Sequence, residues 1–254
     1  MVMYETVKAS INLHAILRNM EDLCQLDDAS AEAIGDRHVA IRFSVPGIDR
    51  LVLAFQDRSC QAARGDGMTH NMNLRFSSPE HLNLMVEGEK NPLPTKGFRY
   101  ITFLKDTFTF LAGQLESYLK PDRERIADDF DFLKKSTILT AYAALYAVPE
   151  IARYDEMGQK VARKIEDGII NITVGEEFGL HLIAEKGRLH TAKGRSTKAR
   201  AEMMFDSFET AFGLLNGDLD SYTCIGMGYL AVRGRIPMID NFNRLLGMVP
   251  RYLS

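Results

Sequence analysis

An internal repeat constrains the fold of this 254-residue chain more than any other feature of its sequence. Residues 72–100 resemble residues 201–229 without a gap, and the offset, taken from Gly88 and Gly217, is 217 − 88 = 129. The identical pairs at this offset are Leu51 and Leu180, Leu53 and Leu182, Gly65 and Gly194, Phe76 and Phe205, Ser78 and Ser207, Glu80 and Glu209, Gly97 and Gly226, and Tyr100 and Tyr229. Because self-similarity at a fixed spacing marks repeated structural units, we predict a tandem duplication, with units at residues 1–121 and 122–254.

The paired segments also agree in the physical roles of their residues. Each predicts a helix of about three turns that starts at a polar cap, carries a glutamate three residues later and ends at a glycine. The cap, glutamate and glycine are Ser77, Glu80 and Gly88 in the first copy and Asp206, Glu209 and Gly217 in the second. This agreement favours one shared fold for both copies.

Apolar periodicity and turn residues predict the same order of elements in each copy. In copy one we predict helices over 4–20 and 20–34, strands over 38–45, 50–55, 58–63, 68–76 and 98–103, and a last helix from Asp106. In copy two we predict helices over 123–134, 136–148 and, after Pro149, 150–166, strands over 169–174, 179–185, 187–192, 198–205 and 228–233, and a last helix from Pro237. Helices segregated from a twisted, mostly antiparallel sheet make an α+β fold.

Composition excludes several classes of function. Hydrophobic residues are 46% of the chain and charged residues 26%, with a net charge of −3, so nothing indicates nucleic acid as a partner. The three cysteines, Cys24, Cys60 and Cys224, are odd in number and far apart. We therefore expect reduced thiols and a cytoplasmic protein. The longest nearly apolar run, residues 138–148, is far shorter than a membrane span.

The glycine-rich segment of the second copy has the spacing of a nucleotide-binding loop. Gly226, Gly228 and Ala231 match G-x-G-x-x-A, but that loop precedes a helix, and the residues that follow here are typical of a strand. His181 and His190 are interpreted as ordinary strand histidines, because no third metal ligand stands at a suitable spacing. We therefore predict no catalytic residue, no metal and no cofactor, and a protein that is not an enzyme.

A cationic segment, residues 185–200, carries Lys193, Arg195 and Lys198. Two interpretations remain open. The segment is either a solvated hairpin, balanced by the acidic segment from Asp122, or a patch that makes transient contact with anionic headgroups on a membrane surface. The first copy has Asp66 in the corresponding region, so the patch is not duplicated.

The second copy resembles the sterol carrier protein type-2 family. Its strand closes at Phe205, the sequence "LLNGDL" follows from Leu214, and Gly228 and Gly234 bound a strand that contains Leu230. The family shows the same order of a strand, a capped helix, leucines before a glycine, a strand of the form G-x-L-x-x-x-G and a final helix. The resemblance covers most of the chain from residue 153 to its end.

The first copy resembles the family more faintly. It keeps Gly97, but Lys105 stands where Gly234 would be matched. This difference weakens the expectation of a lipid cavity in the first copy.

The resemblance implies two tandem sterol-carrier-like units that form an internal pseudo-dimer, each a twisted sheet covered by helices with an apolar tunnel between. It implies non-enzymatic binding or carriage of a lipid or another apolar small molecule. The implied lining residues are Met203, Phe205, Leu230, Val232, Met238, Ile239, Phe242 and Leu246. The alternative is a structural module that assembles with a partner protein. Filled cores and an exposed apolar patch would favour that alternative.

Overall fold

The chain folds as two units in this computed structural model, which describes residues 2–253. Unit 1 is Met1–Pro121 and unit 2 is Asp122–Ser254. Each contains one five-stranded sheet and a set of helices, so the predicted α+β class is confirmed. Within residues 2–253, no helix combines the length and the apolar character that crossing a bilayer requires.

Unit 1 places helices before and after its strands. Its elements are α1 (Val2–Ile11), a π-helical turn (Asn12–Ile16), a 3-10 turn (Leu17–Asn19), α2 (Met20–Leu26), α3 (Asp28–Ile34), β1 (Val39–Ser44), β2 (Leu51–Gln56), β3 (Ser59–Arg64), β4 (Met72–Arg75), α4 (Pro79–Val86), β5 (Leu93–Lys96), a 3-10 turn (Phe98–Tyr100), α5 (Ile101–Phe103), a π-helical turn (Leu104–Phe108) and α6 (Thr109–Leu119).

Unit 2 repeats this order with a longer leading helix. Its elements are α7 (Arg123–Asp128), α8 (Phe130–Tyr154), α9 (Glu156–Ala162), β6 (Gly168–Val174), β7 (Phe178–Glu185), β8 (Arg188–Lys193), β9 (Ala201–Phe205), α10 (Phe208–Leu215), α11 (Ser221–Gly226), β10 (Leu230–Gly234), α12 (Ile236–Leu246) and α13 (Pro250–Leu253).

Both sheets have the same strand order. It is β3-β2-β1-β4-β5 in unit 1 and β8-β7-β6-β9-β10 in unit 2. The central pairs, β1 with β4 and β6 with β9, run parallel, and the other neighbouring pairs are antiparallel. Each sheet is therefore mostly antiparallel, as predicted, around one parallel pair.

The two sheets also share their register. Ile41 pairs with Met72 in unit 1, and Ile170 pairs with Ala201 in unit 2. The residue numbers of both paired residues differ between the units by the same offset, since 170 − 41 = 129 and 201 − 72 = 129. The repeat seen in the sequence thus corresponds to equivalent positions in space, and its origin by tandem duplication stays a prediction.

The offset changes before the last strand of each sheet. Gly97 and Gly234 have positive φ angles of 83° and 84°. A Cβ atom on Gly97 would overlap the carbonyl oxygen of Asn71, and one on Gly234 would overlap that of Arg200, where 200 − 71 = 129. Gly97 therefore corresponds to Gly234, at an offset of 234 − 97 = 137, and its predicted match with Gly226 is wrong.

Unit 2 consequently has 137 − 129 = 8 additional residues before its last strand, in the region that forms α11. The strand predicted over 98–103 is wrong, because those residues form helical turns and the edge strand of unit 1 lies earlier, at Leu93–Lys96. The strand predicted over 228–233 is found at Leu230–Gly234. The mismatch at Lys105 also disappears, since Gly97 takes the place of Gly234.

Serine side chains cap α4 and α10, one residue after the predicted caps. The hydroxyl oxygens of Ser78 and Ser207 accept hydrogen bonds from the backbone N–H groups of His81 and Thr210, both at 3.2 Å. Each bond satisfies one of the amide groups that the first turn of a helix leaves unpaired. Equivalent caps therefore start the equivalent helices.

Pro149 lies inside α8, although we predicted that a helix ends there. A proline has no N–H to donate to the carbonyl four residues earlier, which here belongs to Leu145. The Thr191 hydroxyl of β8 donates to that carbonyl instead, at 2.8 Å, and Thr191 is buried. Because the carbonyl has a replacement donor, α8 continues to Tyr154.

An aspartate and a tyrosine join the last helical segment of each unit to its leading helices. In unit 1 the Tyr118 hydroxyl donates to Asp27 at 3.1 Å, and Asp27 also caps α3. In unit 2 the Tyr252 hydroxyl donates to Asp155 at 2.7 Å, and Asp155 also caps α9. The same pair of residue types therefore closes both units.

Alanine at Gly97 or Gly234 should lower the free energy of unfolding by more than about 2 kcal/mol, because the left-handed backbone and the nearby carbonyl both oppose a Cβ atom. Gly226→Ala is the control, since a Cβ atom there meets open space, and it should change stability by less than about 1 kcal/mol. Urea unfolding of the three variants measures the effect. Similar losses for Gly97→Ala and Gly226→Ala would contradict the corrected alignment.

Thr191→Val should lower the free energy of unfolding by about 1–3 kcal/mol, because it leaves the buried Leu145 carbonyl without its donor. Thr191→Ser keeps a hydroxyl and should cost less. Pro149→Ala restores the helical amide, so the penalty of Thr191→Val should shrink in that background. Equal penalties in both backgrounds would show that the hydroxyl does not compensate for the proline.

Candidate ligand-binding site

A small apolar cavity lies in unit 2 between the sheet and the helices that cover it. Its volume is about 30 Å³. It is lined by Thr137, Ala141 and Leu145 of α8, Ile172 and Val174 of β6, Phe178 of β7, Met203 and Phe205 of β9, Ala211, Leu214 and Leu215 of α10, and Phe242 and Leu246 of α12. The cavity therefore lies between sheet and helices, where the resemblance implies a tunnel.

Strand and helix periodicity places the lining side chains. Ile172 pairs with Met203 and Val174 pairs with Phe205 across the parallel strands. Residues two apart on a strand share a face, so these four side chains point to the same side of the sheet. The α8 lining residues follow at intervals of four and share one face of that helix.

The structure brings half of the predicted lining residues to the cavity. Those that line it are Met203, Phe205, Phe242 and Leu246. Those that lie elsewhere are Leu230, Met238 and Ile239, which are buried in the core, and Val232, which is half-buried on β10. The sequence analysis missed the wall formed by α8 and α10, although the alanine-rich run 138–148 carried a signal for it.

Two aromatic side chains on the covered face of the unit 1 sheet are replaced by smaller side chains in unit 2. Ile172 corresponds to Phe43, since 172 − 43 = 129, and Ala184 corresponds to Phe55, since 184 − 55 = 129. In unit 1 both rings pack against Phe108, with ring centroids 6.1 and 6.2 Å from it. Ile172 lines the cavity and Ala184 does not, so the space coincides with the position at which an isoleucine replaces Phe43 of unit 1.

The chemistry of the cavity is that of hydrocarbon. Thr137 is the one polar residue of its lining, and its hydroxyl donates to the Leu133 carbonyl at 2.8 Å. Among the described lining residues no side-chain donor is therefore free, and a buried ligand oxygen would stay unpaired at a cost of about 1–3 kcal/mol. A volume of about 30 Å³ is close to the share of one water molecule in the liquid. Occupation by a chain thus requires side chains to move.

One margin of the cavity is formed by side chains that are already partly exposed. Leu214 and Leu215 at the end of α10 and Leu246 at the end of α12 are half-buried, whereas Phe242 is fully buried. Displacing the three leucines toward solvent exposes less new apolar surface than displacing a fully buried residue. This margin is the candidate entry to the cavity.

The cationic segment lies outside the cavity, and two of the three cations singled out above are engaged. Arg195 donates to the Glu202 carboxylate at 3.1 Å, and this bond holds the pKa of Glu202 below its usual value. The Lys193 ammonium lies 5.3 Å from the centroid of the Tyr142 ring, within range of a cation–π contact. Lys198 is exposed. A polar basin of about 430 Å³ is lined by Arg195, Ser196, Thr197, Ala199 and Glu202.

The two histidines considered as metal ligands are not directly opposite each other. His181 pairs with Ala192, and His190 pairs with Ile183. The His181 Nδ1 atom lies 2.8 Å from the Gly194 carbonyl oxygen. Across residues 2–253, no group of three or more histidine, cysteine or acidic side chains is arranged to hold a metal ion.

The cysteines Cys24, Cys60 and Cys224 are free thiols and are buried. Burial raises the pKa of Cys60 well above its usual value and also raises the pKa of Cys224. The thiolate is the nucleophilic form of cysteine. Both thiols are therefore poorly suited to nucleophilic chemistry.

Solved structures of sterol carrier protein 2 domains are similar to this chain. The UbiJ-SCP2 ubiquinone synthesis protein is 16% identical, with 44% of this chain and 95% of that chain covered and a TM-score of 0.35. The sterol carrier protein domain 2 of Helicoverpa armigera is 16% identical, with 43% and 87% covered and a TM-score of 0.35. Sterol carrier protein 2 from Yarrowia lipolytica, in its apo form, is 15% identical, with 39% and 86% covered and a TM-score of 0.31.

Because the identities are only 15–16%, these similarities concern the fold alone. Each of the three sterol carrier matches spans less than half of this chain. No protein-family model matches the chain, and no curated protein matches its sequence.

Proposed function

We propose that unit 2 binds the hydrocarbon part of a lipid or another apolar small molecule between its sheet and helices α8, α10 and α12. The observation that supports the proposal is the apolar cavity, which is lined by Ile172 where unit 1 has Phe43. The protein then acts by binding and carriage, and no chemical step on the ligand follows from this geometry.

Binding enlarges the cavity at its leucine margin. Each methylene of the ligand that leaves water contributes about 0.8 kcal/mol, so a chain of several methylenes offsets the displacement of Leu214, Leu215 and Leu246. A polar headgroup stays at the surface, because the described lining residues offer no free side-chain donor to its oxygen atoms. The ligand class is therefore an acyl, sterol or isoprenoid hydrocarbon with its polar end outside.

Ile172→Phe should abolish ligand binding without unfolding the protein, because it places in unit 2 the side chain that occupies the equivalent position in unit 1. The measurement is native mass spectrometry of protein purified without detergent, before and after incubation with oleic acid. A ligand-bound mass is expected for the unchanged chain and not for this variant.

Ile183→Phe is the matched control, since it adds the same ring on the opposite face of the same sheet. It should retain the ligand-bound mass. Retention by Ile172→Phe, with a cooperative thermal transition, would rule out the cavity as the site. If the unchanged chain carries no ligand after purification and binds no added oleic acid, the proposal of lipid carriage is wrong.

A second function has an observation of its own. In the segment of unit 2 that contains the additional residues, Tyr222, Ile225 and Met227 are 86%, 47% and 62% exposed. Exposed apolar clusters of this kind commonly contact other proteins. With a cavity that is nearly filled, this cluster favours a module that assembles with a partner protein.

Delivery of a lipid also requires contact with a membrane, and the cationic segment suits that contact. Lys198→Glu should reduce flotation of the protein with vesicles that contain phosphatidylserine, because each cation near such a surface contributes about 1 kcal/mol. The triple variant with Lys193→Glu and Arg195→Glu added should abolish it. Lys164→Glu, at an exposed lysine elsewhere in unit 2, is the control, and an equal loss there would leave only a general charge effect.

A further inference from the structure

A polar basin lies in unit 2 on the face of the sheet that is turned away from the cavity. Its volume is about 430 Å³, and it is lined by Arg195, Ser196, Thr197, Ala199 and Glu202. Glu202 alternates along β9 with Met203, which lines the cavity. Successive side chains of a strand point to opposite faces, so the basin and the cavity use different faces of one sheet.

A buried asparagine fixes the wall of the basin. Asn171 is fully buried, and its Nδ2 group donates to the Ser196 carbonyl at 2.9 Å. Its Oδ1 atom accepts from the Ser196 N–H at 3.0 Å. The same Nδ2 group donates to the Glu202 carboxylate at 3.3 Å. One buried side chain therefore holds both the loop and the strand that form the basin.

Arg195 is oriented by a carboxylate and keeps most of its donors. Its guanidinium donates to Glu202 at 3.1 Å, while 60% of its side chain is exposed. A guanidinium has about five N–H donors in a planar fork, so this one ion pair leaves most of them for a ligand. A fixed fork of this kind suits the bidentate recognition of phosphate oxygens.

Two further cations flank the basin. Lys198 and Arg233 are exposed, and neither has an ion pair within residues 2–253. Arg233 lies directly across from Glu202 in the register of β10 and β9. The neighbouring Arg200 and Arg235 are instead paired with a glutamate before β6. The basin therefore has three cations around one carboxylate.

The charge at the basin matches that of a phosphate group. Arg195, Lys198, Arg233 and Glu202 sum to 3 − 1 = +2. The hydrogen bond from Arg195 and the charge of Arg233 lower the pKa of Glu202, so its carboxylate is ionised near neutral pH. A phosphate monoester carries a charge of about −1.5 to −2 at pH 7 and has several strong acceptor oxygens. A carboxylate ligand would compensate only one of the two positive charges.

Lys193 belongs to the same cationic segment but points to the other face of the sheet. It pairs with Leu180, which in turn pairs with Ile172 of the cavity lining. Its ammonium lies 5.3 Å from the centroid of the Tyr142 ring, on helix α8. Lys193 therefore has the charge of a basin residue without its position.

We propose that the basin binds a phosphate group, with Arg195 and Lys198 as contacts and Glu202 as the residue that positions Arg195. The group belongs to a lipid headgroup or to a soluble phosphate ester, which share this chemistry. The proposal concerns unit 2 alone, because unit 1 has Asp66 at the position of Arg195, since 195 − 66 = 129. It does not rest on lipid binding in the cavity, which lies on the other face.

Titration of the full chain with inorganic phosphate tests the proposal, with ionic strength kept constant by sodium chloride. In ¹H–¹⁵N NMR spectra the amide signals of residues 196–199 should shift in a saturable manner. Arg195→Ala should weaken binding about tenfold or more, and Lys198→Ala should also weaken it. Lys193→Ala removes the same charge from the other face and should leave the dissociation constant unchanged.

The positioning role of Glu202 has its own pair of variants. Glu202→Gln keeps an oxygen that accepts from Arg195 and removes the opposing negative charge, so it should bind phosphate at least as tightly as the unchanged chain. Glu202→Ala also releases the guanidinium and should bind more weakly than Glu202→Gln. Equal dissociation constants for these two variants would show that Glu202 does not position Arg195.

The absence of saturable shifts with inorganic phosphate would overturn the proposal. Equal losses in Arg195→Ala and Lys193→Ala would also overturn it, because they would indicate diffuse attraction by charge. Binding to phosphatidylcholine vesicles only when they contain phosphatidic acid would assign the group to a headgroup, and binding of glycerol 3-phosphate without vesicle binding would assign it to a soluble ester. Ile172→Phe should still bind phosphate, and Arg195→Ala should still bind oleic acid, so failure of one proposal is distinguishable from failure of the other.

Discussion

The hydrogen bond from the Thr191 hydroxyl to the Leu145 carbonyl holds together the two halves of the longest helix in unit 2. A proline in a helix interior costs about 3 kcal/mol, partly because one carbonyl loses its donor. Here the lost donor is replaced from the neighbouring strand β8. Leu145 also lines the apolar cavity, so the bond that tolerates Pro149 fixes one wall of the candidate site against the sheet.

A second polar contact, an aspartate–tyrosine hydrogen bond, occurs once in each unit and joins its leading helices to its last helix. The carboxylates of Asp27 and Asp155 each cap a short helix and accept a hydrogen bond from a tyrosine at the far end of the unit. Asp155 is buried and Asp27 is half-buried, and a carboxylate removed from water needs such partners, because an unpaired charge in the interior is costly. The contact therefore links a residue before the strands to a residue after them in the sequence of each unit.

Local patterns in the sequence predicted most of the strands and the helices α4 and α10, because alternation and capping act over a few residues. They did not predict the parallel central pair, the continuation of α8 through Pro149 or the position of the edge strand near Gly97. Each of these depends on a residue distant in sequence, such as Thr191 or Asn71. Four of the eight predicted lining residues line the cavity, because α12 and β9 showed clear apolar faces, whereas the α8 wall was missed although residues 138–148 form a nearly apolar run.

The two units share one framework of strands but differ in a core side chain and in the edge of the sheet. In unit 1, Phe43 packs in the core and Pro94 blocks the sheet edge. In unit 2, Ile172 leaves an apolar cavity, and the additional residues lead into an edge strand without proline. Neither change disturbs the shared register, because a core side chain and an edge loop can vary while the central parallel pair is kept. The parts of the fold that differ between the units are therefore those that the central strands do not constrain.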